Sequence, residues 1–257
     1  WCRKSPAPRS RQSCSPTAIG RAIALFLAGR GHDVLLHCTN SRESAEHTAE
    51  EARALGVQAA VWQADLVDEA ALAGLVPQAV AALGGPLNVL INNAPVLDRE
   101  TAHSAGGESW NREIGAPLRA PFVLTQTFAT QAPRPGHDAA GEPMAQASVV
   151  NMISQRVLKP TAEFMPRTIA RTGLEAFTRT AALALAPAVR VNAIAAGLGL
   201  QGTRQPGTTA PEHNADLTDI VATLGYFLDA RAVTGQILMV GGGLHPGWQP
   251  PDEPWVA

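Results

Sequence analysis

From residue 18 onward the sequence alternates two kinds of stretch: segments with helical spacing of apolar residues, and short runs that are apolar at nearly every position. That alternation allows few architectures. A short, continuously apolar run suits a strand buried on both faces, and strands separated by helices join in parallel through crossovers. The expected fold class is α/β, a doubly wound parallel sheet with helices on both sides.

The elements can be read in order. AIGRAIALFLAGRG is a helix closed by glycines and DVLLHC a buried strand. SRESAEHTAEEARALG is an amphipathic helix with a serine start and a glycine stop. QAAVWQAD is a strand, DEAALAGLVPQAVAALGG a helix bent at Pro77, and LNVLINN a strand. A long helical region follows from about Trp110 to Thr130, and PRPGHDAAGEP is a turn-rich loop. ASVVNMI, a helix ending near Ala186, AVRVNAIAAG, a helix near Leu217 to Leu228 and QILMV complete the series. No internal repeat is present.

One element is doubtful. A doubly wound sheet needs an apolar strand ahead of its first helix, because that strand lies mid-sheet. PAPRSRQSCS stands there, with Pro8 beside Arg9 and Arg11 on alternate residues. Three readings stay open: the segment stays out of the sheet and the sheet lacks its middle, the arginines find unusual partners, or the segment is an out-of-frame reading of an ordinary apolar strand.

With 257 residues, 46% of them hydrophobic, the chain can bury a sizeable core, and by size it fits one large domain as well as two small ones. A net charge of −2 gives no field to draw in nucleic acid or anionic lipid. Arg3, Lys4, Arg9, Arg11, Arg21 and Arg30 make the first 30 residues basic. That is the composition of a transit segment, yet it runs straight into fold-like sequence. Beginning with Trp rather than Met, the sequence reads as a fragment or a processed product.

Cys2, Cys14 and Cys38 have no metal-type spacing and are odd in number, so neither a zinc site nor a disulfide framework is expected, and a reducing cytoplasm is the default location. The longest apolar run is broken by Pro187 and Arg190, so no membrane-spanning helix is expected. The histidines show no ligand spacing, and no metal site is assigned.

FMPRTIART places Arg167 and Arg171 four residues apart on one helical face, so two permanent cations look into the same space. One reading is a solvated helix start. The other is an anion site, since two such charges a few ångströms apart repel by about 1 kcal/mol in water and by more away from it. The stripe Ala170, Leu174, Phe177, Ala181, Leu185 is expected to be core or a subunit contact.

Several motifs then fall in a familiar order. CSPTAIGRAIA is similar to a T-G-x-x-x-G-x-G turn, QADLVDE to a third-strand aspartate motif, and VLINNAP to N-N-A-G. NMIS is similar to a strand ending in a catalytic serine, TRTAALALAPAVRVNAIAAG to an active-site helix running on to a P-G turn, and TGQILMVGGG to a last strand ending V-D-G-G. Over roughly residues 13–244 the chain resembles the short-chain dehydrogenase/reductase family, most closely its pteridine-reductase-like branch.

The resemblance implies a single Rossmann-type three-layer domain over 14–244, between an irregular basic segment, 1–13, and a Pro-rich tail, 245–257. It implies an NAD(P)H-dependent oxidoreductase acting on a small carbonyl or pteridine-like substrate, and a homo-oligomer, dimer or tetramer. In the family a Tyr gives the substrate its proton, a Lys four residues on lowers the Tyr pKa and holds the ribose, a Ser polarises the substrate, and an Asn holds a water relay. Here Ser154 falls on the serine position, Arg167 on the tyrosine, Arg171 on the lysine and Pro117 on the asparagine. Arginine presents donors only and stays charged near neutral pH, so it cannot cycle a proton. The chain's one tyrosine, Tyr226, lies far along the sequence. Little or no ordinary activity is expected, and Ser154 is expected to be a relic at a strand end.

For the cofactor, the resemblance points to Ile19 and Gly20 at a helix start, Thr39, Asn40, Ser41 and Arg42 after the second strand, Asp65, Asn92 and Ala94, and Gly197. Cys14 and Ala18 replace the first two motif glycines. CTNSR offers no acid for a ribose 2′-hydroxyl and several donors for a 2′-phosphate, so the cofactor, if any, is NADP(H). The same four residues also suit a plain loop and helix cap. The segment between Gly197 and Asp219 is shorter than the family's substrate loop, which implies a truncated lid. Three functional readings follow: a weakened NADP(H)-dependent oxidoreductase, a non-catalytic nucleotide- or anion-binding relative, and a structural oligomer partner of an active homologue.

Overall fold

The computed structural model describes residues 2–3, 18–93, 103–154, 165–197 and 216–241. Cys14, Ala94, most of the expected lid and the Pro-rich tail lie outside the described residues, and of Ser154 only the backbone is described.

In chain order the elements are β1 (Cys2–Arg3), α1 (Ala18–Gly29), β2 (Asp33–Cys38), α2 (Arg42–Ala54), β3 (Ala59–Gln63), α3 (Glu69–Ala82) and β4 (Val89–Asn92). Next come α4 (Gly107–Ile114), a π-helical turn (Gly115–Arg119), α5 (Ala120–Gln131), β5 (Gly136–His137) and β6 (Pro143–Met144). The last are β7 (Ala147–Ser154), α6 (Met165–Leu185), β8 (Val189–Ala196), α7 (Leu217–Asp229) and β9 (Ile237–Val240). The main sheet runs β3-β2-β1-β4-β7-β8-β9, and β2–β3, β4–β7, β7–β8 and β8–β9 pair in parallel. This is the doubly wound arrangement expected of the alternation.

Side chains on successive strand residues enter opposite layers. Leu35, Leu90, Val149 and Val191 pack with α3, α5 and α6 on one face. Val34, Leu36, Ile91, Val150 and Ile194 pack with α1, α2 and α7 on the other. The stripe on α6 behaves as expected: Ala170, Leu174 and Ala181 are buried, and Phe177 and Leu185 pack against the core from its margin.

The doubtful first strand resolves differently from the expectation. The seat between β2 and β4 is filled by Cys2–Arg3, which lies ahead of PAPRSRQSCS, inside the stretch expected to be irregular, and runs antiparallel to both neighbours. Cys2 pairs with Val34 and Val89, and Arg3 with Asp33. The physical reason is that β2 and β4 both present backbone donors and acceptors to this gap, and buried groups of that kind need partners. A two-residue segment meets part of the need without supplying a long apolar strand.

Two other details differ from the sequence reading. The long helical region is interrupted by the π turn around Pro117, which has no N–H to give the helical ladder. The loop PRPGHDAAGEP carries a small hairpin, with Gly136 paired to Met144 and His137 to Pro143.

Candidate active site

The carboxyl ends of β2, β4, β7 and β8 share one edge of the sheet, where an open α/β sheet holds its ligands. Register brings Asn92 of β4 level with Asn151 of β7, and Ser154 level with Ala196 of β8. At this edge Asn92, Asn93, Pro117, Met152 and Arg171 line a single cavity, with Leu66, Leu124 and Leu174 behind them. The positions expected to carry the asparagine and lysine of the reaction thus meet in one place. The cavity holds about 20 Å³, room for one or two waters.

Arg171 decides the character of the site. Its Nη1 donates to the main-chain oxygen of Met152 at 2.5 Å, so the guanidinium turns into the protein and braces α6 against β7. Burial, the neighbouring Arg167 charge and, in the opposite sense, Glu113 act on it, and the net result is a pKa pushed down to about 10. At that value it is still a cation near neutral pH. Glu113, 1% exposed on α4, is its buried counter-charge. The picture of a solvated helix start is therefore corrected: Nε of Arg167 and Nε of Arg171 are both buried from solvent. Gly173, two residues further along α6, lets the π turn come close, since a Cβ there would sit 2.9 Å from Leu118 Cδ2.

A second network underlies the first. Asn92 Nδ2 donates to Asn151 Oδ1 at 2.7 Å, Asn151 Nδ2 to Thr178 Oγ1 at 2.9 Å, and Thr178 Oγ1 to Leu174 O at 2.8 Å. This chain ties the end of β4 to the middle of β7 and of α6 behind the cleft. Asn92, expected as a cofactor contact, serves in the structure as a strut. Sequence reasoning missed Glu113, Asn151 and Thr178. The available signal for Asn151 was a lone amide inside the apolar run ASVVNMI; Glu113, on a polar-looking helix, gave none.

The expected cofactor residues divide into two groups. Thr39, Asn40, Ser41 and Arg42 are all exposed at the end of β2. Ser41 sits at the N-cap of α2 without a side-chain capping bond, so its hydroxyl is not used by the helix. Arg42 reaches Glu46 at 3.4 Å, an exposed pair of small worth. Asp65 is exposed and accepts from Val67 N, which fixes the turn after β3. Ile19 and Gly20 open α1, with Gly20 buried. Gly197 donates its N–H to Val240 O, joining the ends of β8 and β9. This set of exposed donors after β2, with no acid at the strand end, fits a 2′-phosphorylated dinucleotide.

The sequence pattern of the short chain dehydrogenases matches residues 15–208. The chain belongs to that family. A protein assigned as ketoacyl reductase 2 of the granaticin polyketide synthase of Streptomyces violaceoruber is 30% identical over 254 residues, covering 93% of this chain and 96% of the relative. FabG, a 3-oxoacyl-[acyl-carrier-protein] reductase of Staphylococcus aureus, is 28% identical over 240 residues, covering 88% and 94%. Among solved structures, FolM alternative dihydrofolate reductase 1 from Brucella canis, complexed with NADP, superposes with a TM-score of 0.81 at 33% identity, covering 94% of this chain and 96% of its own.

As a short-chain dehydrogenase the chain is a member of an oxidoreductase family. His37 and Cys38, beside the cleft, belong to structure. His37 is 5% exposed, bonds Ala64 O through Nε2 at 2.8 Å, and has a pKa lowered by burial. Cys38 is free and buried, and burial pushes its thiol up, away from the reactive thiolate. Among the described residues no helix is long and apolar enough to cross a membrane, and no cluster of metal-ligating side chains occurs.

Proposed function

We propose that this chain is an NADP(H)-binding short-chain dehydrogenase in which a buried cationic brace stands where the proton-delivering pair would be, so that reduction of a carbonyl or pteridine-like substrate is slow or absent. The observation that carries this reading is the Arg171–Met152 bond inside the cleft shared with Asn92 and Pro117.

The nicotinamide would supply a hydride equivalent. What the chain must add is a proton at the substrate heteroatom and a group that recovers it. Pro117 has no side-chain donor, and Arg167 and Arg171 donate hydrogen bonds without releasing protons near neutral pH. General acid–base assistance contributes about 10²–10⁴-fold in rate, and that factor is what this site forgoes. Positioning residues remain: Asn92, Asn151 and Thr178 hold β4, β7 and α6 in place, and Ser154 ends β7 at the same edge.

The cofactor preference rests on the exposed donors after β2, and the NADP complex of the Brucella canis relative supports it. Apolar side chains left exposed on α4, α5 and α6, Trp110, Phe122 and Ile169, favour self-association through those helices. The test of the binding half is fluorescence titration of the purified chain with NADPH and with NADH. NADPH binding at least about tenfold tighter than NADH, reduced towards parity in the Arg42→Ala, Ser41→Ala double variant, is the expected result. No binding of either nucleotide would leave the family membership intact and remove the function.

A further inference from the structure

We propose that a second cavity, at the amino ends of the strands, is a binding site for a small oxyanion of phosphate-like chemistry. It is bounded by Asn88 just before β4, Ser148 at the start of β7, Arg190 at the start of β8, and Arg30, Asp229 and Arg231 from α1 and the end of α7. Its volume is about 120 Å³, enough for several waters or one phosphate. Ser148 and Ser154 lie on one strand about 20 Å apart at 3.3 Å per residue, so this site is separate from the cleft at the carboxyl edge.

Two observations point to a ligand. The first is charge: three guanidiniums against one carboxylate leave an excess of two positive charges around the cavity. The second is a set of buried polar atoms. Ser148 Oγ, Asn88 Oδ1 and Arg190 Nε have no hydrogen-bond partner, in side chains that are 3%, 7% and 7% exposed. Native proteins rarely leave such atoms unmet without an occupant.

The surrounding bonds define what the occupant must offer. Arg30 is paired with Asp229 at 2.5 Å and 3.1 Å, so that pair is neutral. Arg190 gives Nη1 to Phe227 O and Nη2 to Leu228 O, capping α7, whose carboxyl end offsets part of its charge. What remains without a bond is Nε–H of Arg190, the Ser148 hydroxyl and the acceptor Asn88 Oδ1, each sealed from solvent so that an occupant must displace their neighbours slightly to reach them, beside the exposed Arg231, which reaches Met144 Sδ at 3.5 Å. Water could meet the hydrogen bonds but not the charge. An oxyanion that keeps one P–OH near neutral pH meets both, with its oxygens on the three donors and its hydroxyl on Asn88.

The test is the melting temperature of the full chain as a function of inorganic phosphate, with sulfate and sodium chloride at matched ionic strength. Wild type is expected to show a saturable rise of about 5–10 °C at a hundredfold excess over Kd. The rise should be lost in Ser148→Ala and in Arg231→Ala. Without phosphate, Ser148→Ala should melt at or above the wild-type temperature, because the hydroxyl it removes has no partner. Arg231 is exposed, so its variant keeps the test open should the strand variant fail to fold. An absent shift, a shift of equal size in the Arg231→Ala variant, or an equal shift with sulfate would overturn the proposal; the second outcome would move the phosphate to another site.

Discussion

Nη1 of Arg171 and the carbonyl oxygen of Met152 lie 2.5 Å apart, so the side chain we propose to stand at the family's lysine position serves as a brace between α6 and β7. A lysine ammonium there could approach a bound ribose. A guanidinium fixed to the backbone, with Glu113 as buried counter-charge, is held in the wall of the cleft.

Removing that brace should cost stability. Arg171→Ala loses a charge-assisted hydrogen bond and leaves the buried Glu113 facing one cation fewer, and a loss of about 1.5–3 kcal/mol is expected. Urea unfolding monitored by far-UV dichroism measures it. The double variant Arg171→Ala, Glu113→Ala should lose less than the two single variants added together, as coupled residues do. Strict additivity would mean the two side chains do not interact.

The strut behind the cleft makes a separate expectation. Thr178→Val keeps the shape of the side chain and removes the acceptor that Asn151 Nδ2 uses, leaving that group buried without a partner. A destabilisation of about 1–3 kcal/mol is expected in the same unfolding experiment. Asn151 and Thr178 are each 0% exposed, so no solvent can take over the bond. An unchanged midpoint would show that the network relaxes around the change.

Most of the architecture was legible because its inner strands are buried on both faces. DVLLHC, LNVLINN and ASVVNMI are continuous apolar runs, and each forms a strand at or near its expected residues. The hairpin at Gly136–His137 and Pro143–Met144 was not legible, since two residues per strand leave no periodicity. Nor was β1, where pairing demand from β2 and β4 selects Cys2–Arg3 over anything in its own sequence. At the site, the placement of Arg167 and Arg171 four residues apart on one helix followed from helical spacing. The inward turn of Arg171 did not, because it meets the main chain of β7 and the charge of Glu113 on α4, and both come from packing between elements.

His37 gives a pH dependence. Its folded-state pKa lies below the ordinary 6.5, chiefly through burial. As pH falls below about 6.5 the unfolded chain takes up a proton that the folded chain refuses, so stability falls with acidification and is regained above that value, with a slope of up to about 1.4 kcal/mol per pH unit. His37→Gln keeps a donor for Ala64 O and removes the titration. Between pH 7 and pH 5 the variant should lose less stability than wild type, measured by urea midpoints; parallel curves would assign the acid sensitivity to other groups.

The most direct test of a silenced reductase is turnover by a protein already shown to bind NADPH. NADPH oxidation with a dihydropteridine or a 3-oxoacyl thioester should be at background in wild type. In Arg167→Tyr, Arg171→Lys, Pro117→Asn it should rise by about 10²-fold or more as a proton path is restored. Wild-type turnover well above background, above all if Glu113→Gln abolished it, would contradict the account, because a working proton donor would then be present in the site.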